Sequence, residues 1–165
     1  MKPNIVLASN NSGKIREIQA LLSKFTIIPQ AEYVQTEVEE SGLSFIENAL
    51  FKARHAANHC QLPVIADDSG LAVDVLQGAP GIYSARYAGV GASDKDNNEK
   101  LLLDLTDVPA EKRTARFICV IVMLQHPVDP MPLIAQGTWE GKILLQPQGL
   151  NGFGYDPLFW VPEYN

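Results

Sequence analysis

Ile5-Val6-Leu7-Ala8-Ser9-Asn10-Asn11-Ser12-Gly13-Lys14-Ile15 joins a short apolar run to a polar, glycine-containing turn and then to the first residue of a helical repeat. Ile5–Ala8 reads as a buried strand. Ile15, Ile18, Leu21, Leu22 and Phe25 follow at helical spacing. Either Asn11 or Ser12 can cap that helix. The chain therefore opens as strand, polar loop, helix, and Thr26–Pro29 supplies a second strand.

The same alternation continues outward. A second helix starts at Ser44, where Ser44-Phe45-Ile46-Glu47 has the form of a capping box. Ile46, Ala49, Leu50, Ala53, Ala56 and Ala57 make its core face, while Asn48, Lys52, His55 and His59 share one polar stripe. Val64-Ile65-Ala66 is a buried strand that ends in Asp67-Asp68-Ser69-Gly70, and Leu71-Ala72-Val73 resumes as strand. Gly78–Gly81 is a turn. Residues 94–105 form a third helix with Leu101, Leu102 and Leu105 inward. Residues 116–124 form a long strand, residues 133–144 its partner, and Pro127 and Pro130 bracket the loop between them. Residues 149–157 form a glycine-rich loop. Alternating elements early and neighbouring strands late indicate an α/β fold with a mixed sheet.

Composition narrows the function. A chain of 165 residues without repeat or linker reads as a single domain, 1–165. Hydrophobic residues at 46% and charged residues at 19% are ordinary globular proportions. A net charge of -6 argues against a nucleic acid polymer as partner. Cys60 and Cys119 are too few for a disulfide framework, lack zinc spacing, and are expected as buried thiols. No signal-peptide core follows Met1-Lys2-Pro3-Asn4. The longest apolar run, Ile118–Leu124, is far short of the ~20 residues of a membrane span. A soluble cytoplasmic protein is the default expectation.

Five groups of residues carry chemistry. Ser9, Asn10, Asn11, Ser12, Gly13 and Lys14 lie where a strand passes into a helix, so backbone N–H groups, the positive dipole end and a lysine can meet phosphate; the plain alternative is a capping turn. Ala8 stands where a P-loop needs glycine, and Ile15 where it needs Ser or Thr. Glu39 and Glu40 can ligate a hard cation or merely form a solvated loop. Asp67 and Asp68 follow a buried strand, and neighbouring strand residues face opposite ways, so the two have different tasks. Lys52 lies on the helical stripe with His55 and His59; the glutamate of a zinc peptidase helix is missing there, and a zinc site is rejected. In Gly152-Phe153-Gly154-Tyr155-Asp156-Pro157, glycines permit close backbone approach, the aromatics can stack on a base, and Pro157 extends the backbone at Asp156.

Together these pieces resemble the inosine triphosphate pyrophosphatase family. The resemblance is carried in order by Ser9-x-Asn11-x-x-Lys14, Ser44–Ala49, Lys52-Ala53-Arg54, Ala66–Leu71, Ala79–Arg86 and Gly152–Pro157. It implies an elongated, strongly twisted mixed sheet with flanking helices, two lobes around a central cleft, and a homodimer. It implies magnesium and hydrolysis of ITP, dITP or XTP between the α- and β-phosphates, giving a monophosphate and pyrophosphate. Carried over by residue, Ser9, Asn11 and Lys14 would grip the triphosphate and Lys52 would offset phosphate charge. Glu40, with Glu39 as a second candidate, would hold magnesium. Asp68 would be general base or metal ligand, supported by Asp67 and Ser69. Phe153, Gly154, Tyr155 and Asp156 would line the base pocket.

The family pattern also implies a later helical region with a Ser-His-Arg motif against the purine. That motif does not occur before Asn165, so this C-terminal segment is expected to be missing and some apolar surface uncovered. Two other readings follow: a nucleotide binder of weak or no turnover, and a P-loop-like nucleotide kinase. The second meets the objections at Ala8 and Ile15.

Overall fold

A computed structural model describes residues 2–36, 38–149 and 152–164. Glu37 of the acidic loop and Leu150 and Asn151 of the glycine-rich loop lie outside the described residues. The strands are β1 (Asn4–Leu7), β2 (Thr26–Pro29), β3 (Val64–Val73), β4 (Thr114–Leu124), β5 (Leu133–Ile143) and β6 (Phe159–Trp160). The helices are α1 (Ser12–Leu21), α2 (Phe45–Cys60) and α3 (Asp94–Asp104). One sheet runs in the order β2-β1-β3-β4-β5-β6. β1 pairs parallel with β2 and β3, and β5 pairs antiparallel with β6, so the sheet is mixed as expected.

The chain divides into two compact units, Met1–Asp68 with Val120–Gln136, and Ser69–Cys119 with Gly137–Asn165. In the first unit, strand alternation sorts the core into two layers. Val6, Ala8, Val64, Ala66, Val120, Val122 and Leu124 pack with Ala49, Ala53, Ala56 and Ala57 of α2. Ile5, Leu7, Ile27 and Ile65 point the other way and meet Ile15 and Ile18 of α1. The alanines of α2 let helix and sheet approach closely. Leu21 of α1, expected inward, is 78% exposed, because the helix ends there and Leu22 and Phe25 take the inward places.

The connection from β4 to β5 is held by two side chains. The Asp129 carboxylate accepts the Gln125 and Met131 N–H groups at 2.9 Å each, and Arg54 of α2 donates to the Pro127 and Asp129 carbonyls. Cys119 is exposed rather than buried, since β4 turns it away from the face of Val120 and Val122.

In the second unit, Leu71, Val73, Leu101, Leu105, Ala115, Ile143, Tyr155 and Leu158 form the core. Arg113 is buried with its guanidinium spent on backbone: Nη2 donates to Leu105 O, Nε to Val108 O and Nη1 to Leu144 O. One cation thus ties the chain just after α3, at Leu105 and Val108, to Leu144 after β5. Ser93 caps α3 through a reciprocal capping box with Asp96.

The backbone hydrogen bonds hold the Asp129 carboxyl below its ordinary value. Its contribution is present above the unfolded-state pKa and is lost as pH falls through the lower folded-state value. Asp129→Ala is expected to lower Tm at neutral pH, with the gap to the unaltered chain closing below about pH 4. Thermal unfolding across pH 3–8 measures it; a gap that does not change with pH would remove the carboxylate from the account.

Candidate functional site

The expected break after Ala66 does not occur. β3 runs straight through Asp67, Asp68, Ser69 and Gly70, so the aspartates stand in mid-strand rather than in a turn. They are 7% and 6% exposed. Carboxylates are poor strand residues, and the strand survives because each one meets a lysine. Asp67 shares the face of Ile65 and receives Lys14 of α1 at 2.5 Å. Asp68 shares the face of Ala66 and receives Lys52 of α2 at 2.9 Å. The alternation places the two carboxylates on opposite faces, where each forms an ion pair with a different helix.

The Ser9–Lys14 loop leaves β1 beside this point, with Ala8 N–H bonded to Ile65 O. Asn11, not Ser12, is the N-cap: its Oδ1 accepts the Gly13 N–H at 2.8 Å and the Lys14 N–H at 3.2 Å. Ser9 Oγ in turn accepts the Asn11 N–H. Two helix-end donors are therefore already engaged by Asn11.

Lys52 is the hub of the second cluster. Its ammonium reaches Glu40 Oε1 and Asp68 Oδ1, each at 2.9 Å. Asn48, one turn earlier on α2, is fully buried, although its stripe reads as polar surface. Its Nδ2 faces Asp68 Oδ2 at 3.4 Å, and its Oδ1 accepts the Gly42 N–H at 2.9 Å. The sequence placed Asn48 in line with Lys52 but held no sign that it joins the acidic loop to Asp68. Gly42 must be glycine for this fit: an added Cβ would lie 2.6 Å from Glu47 Cβ and 2.7 Å from Asn48 Oδ1. Glu47 Oε2 takes the Leu43 N–H and the Ser44 hydroxyl, so its return reaches one residue beyond the usual box. Glu39 is exposed.

One ammonium here answers to two carboxylates. Burial pushes the Asp68 carboxyl above its ordinary value; Lys52 opposes this by charge and hydrogen bond, and the Glu40 charge adds to the rise. For Lys52, burial disfavours the ammonium, but attraction and hydrogen bonds from Asp68 and Glu40 outweigh it, and its pKa is raised. Lys52 stays charged and is shared between the two carboxyl groups. Their oxygens are donors that suit a hard cation. Among the described residues no three His, Cys, Asp or Glu side chains gather into a metal cage.

The remaining candidates lie in the second unit. Ser69 is half-buried in β3. Phe153 is 46% exposed, whereas Tyr155 is 5% exposed and belongs to the core, with its hydroxyl donating to Ser84 O at 2.8 Å. Gly154 is held at both ends: its N–H donates to Asp94 Oδ2 at 2.7 Å, and its carbonyl accepts from Asn98 Nδ2 at 2.8 Å. Asp156 Oδ2 accepts the Phe153 N–H at 3.0 Å, so its carboxylate shapes its own loop. Gly152 has φ +91, and a Cβ there would lie 2.5 Å from the Asp156 carboxylate.

Residues 5–165 match the Ham1 family. The chain belongs to that family. A Ham1 relative from Photobacterium profundum, a dITP/XTP pyrophosphatase, is 60% identical over 161 residues, 96% of this chain and 82% of that protein. A dITP/XTP pyrophosphatase of Vibrio cholerae is 60% identical over 163 residues, 98% of this chain and 82% of that protein. The structure of a HAM1 protein from Coxiella burnetii superposes with TM-score 0.91 at 48% identity, covering 98% of this chain and 83% of that one. Ham1 membership accounts for the order of the sequence motifs and for the mixed α/β fold. No described helix is long and apolar enough to cross a membrane.

Asn48→Ala leaves the Gly42 N–H and the Asp68 carboxylate without their partner in a buried place. It is expected to destabilise the chain by about 1–3 kcal/mol. Urea unfolding gives the number; a loss below about 0.5 kcal/mol would mean that water replaces the amide at no cost.

Proposed function

We propose that this chain hydrolyses non-standard purine nucleoside triphosphates, ITP, dITP and XTP, to the monophosphate and pyrophosphate. The observation that carries the reading is Lys52 bridging Glu40 and Asp68 beside the Ser9–Lys14 loop, in a chain 60% identical to proteins named dITP/XTP pyrophosphatase.

Splitting a phosphoric anhydride with water asks for positioning and charge neutralisation more than covalent help. Lys14 and Lys52 are the cations for the triphosphate. Each is already oriented by a carboxylate, so little side-chain freedom remains to be lost on binding. Asp68 is suited either to take a proton from the attacking water, as that oxygen bonds to phosphorus and pyrophosphate leaves, or to serve as a metal ligand beside Glu40. Glu40 and Asp68 would hold Mg2+, which when bound would offset phosphate charge. Phe153 is the exposed aromatic of its loop and would lie against the purine. A homodimer and a cytoplasmic setting belong to the same reading and rest on the family resemblance.

The test is direct. The chain is incubated with Mg2+ and ITP, XTP, ATP or GTP, and pyrophosphate and phosphate are assayed separately. Pyrophosphate from ITP and XTP well above that from ATP and GTP is expected. Binding without any pyrophosphate would leave a nucleotide-binding member of the family. Asp68→Asn and Lys14→Ala should each lower kcat/KM by about a hundredfold or more while the chain stays folded. A near-normal rate in either would break the site assignment.

A further inference from the structure

Among the described residues, the acidic loop meets α2 at Asn48, Lys52 and His55 as well as through the Leu43–Glu47 bond, and the His55 contact lies outside the cluster already described. On the far side, Gly42 N–H is held by Asn48. In the middle, Glu40 meets Lys52. On the near side, His55 Nε2 lies 2.9 Å from the Thr36 carbonyl oxygen and 3.3 Å from its hydroxyl. A carbonyl oxygen only accepts, so Nε2 carries the hydrogen and donates it to Thr36. Asn48, Lys52 and His55 are the first three members of the stripe seen in the sequence, and together they clamp one loop. His59, the fourth, turns inward on its own helix, with Nδ1 donating to His55 O at 2.8 Å.

We propose that His55 is a positioning residue for Glu40, fixing the chain at Thr36 so that the Glu40 carboxylate is held where Mg2+ would be taken up. The inference rests on the reading of Glu40 as a magnesium ligand. The reason is mechanical. Glu40 lies between Thr36 and Gly42, and without the Thr36 contact the nearest anchor before it is the buried Val34, so the carboxylate sits on a longer free segment and loses more chain freedom each time it engages a cation. Groups that orient a metal ligand from behind commonly set its affinity as strongly as the ligand's own chemistry does. His55 touches neither the phosphate loop nor Asp68 in the contacts above, so its removal should act on metal uptake rather than on water activation.

The experiment compares the full chain with His55→Ala, His55→Gln and His59→Ala. Glutamine can offer an N–H near the place of Nε2. Three quantities are read: the Mg2+ concentration for half-maximal pyrophosphate release, Mn2+ affinity by electron paramagnetic resonance without nucleotide, and amide hydrogen exchange of residues 38–44. His55→Ala should raise the Mg2+ requirement and weaken Mn2+ binding by about tenfold, with faster exchange in the loop and little change in kcat at saturating Mg2+. His55→Gln should recover most of this, and His59→Ala should match the unaltered chain. If the alanine variant does not fold, His55→Leu keeps the bulk and removes the donor. Unchanged metal affinity in a folded His55 variant overturns the inference, whether or not the loop exchanges faster. Absence of turnover in the unaltered chain counts against the proposed function, and the Mn2+ and exchange measurements then still decide for or against His55.

Discussion

Asp67 and Asp68 put two carboxylates next to each other inside a strand that is apolar but for them and Ser69, and the first unit is arranged around that burden. A buried carboxylate without a counter-charge is strongly destabilising. Neighbouring strand residues point to opposite faces, so one cation cannot serve both. The chain answers with a helix on each face, Lys14 from α1 and Lys52 from α2. The alanine face of α2 sets how close Lys52 comes. The short loop from β1 into α1 sets Lys14 one residue after Gly13, within reach of β3. Helix placement, strand register and site charge are thus one problem with one solution.

Much of this was open to reading in the sequence because it depends on periodicity. The helical repeat after Lys14, the alanine face of α2 and the long late strands are local patterns. The opposed faces of Asp67 and Asp68 follow from the two-residue repeat of a strand. What could not be read depends on partners far away in the chain. Asp-Asp-Ser-Gly has the composition of a turn, and only lysines 53 and 16 residues distant make it tolerable as strand. Asn48 reads as surface until Gly42 and Asp68 close over it. Tyr155 reads as a stacking ring until Ser84 takes its hydroxyl and the core takes its ring.

The expected phosphate and metal residues all fall in the first unit, and Ser69 with the Phe153–Asp156 loop falls in the second. The second group is made in a different way. Its loop is set by backbone bonds to Asp94 and Asn98 of α3 and by the Asp156 carboxylate under Gly152, with no ion pair among those contacts. Fixed backbone and one exposed aromatic suit the recognition of a flat, uncharged base, where shape and hydrogen-bond direction discriminate. Paired charges suit a polyanion, whose recognition depends on neutralisation.

A site for a polyanion faces a conflict before its ligand arrives. Lysines close enough to neutralise three phosphates would repel one another and splay into water if left alone, and each would lose its rotamer freedom on binding. Pairing them with buried carboxylates removes both costs while the chain folds. It also weakens the field that the incoming phosphates feel, because each lysine is already partly neutralised. Glu40 and Asp68 would hold a divalent cation at the place where they share one ammonium, and such a cation would offset their charge and that of the phosphates. Two carboxylates share one ammonium at Lys52, and that is the arrangement on which the proposed use of a divalent cation would rest.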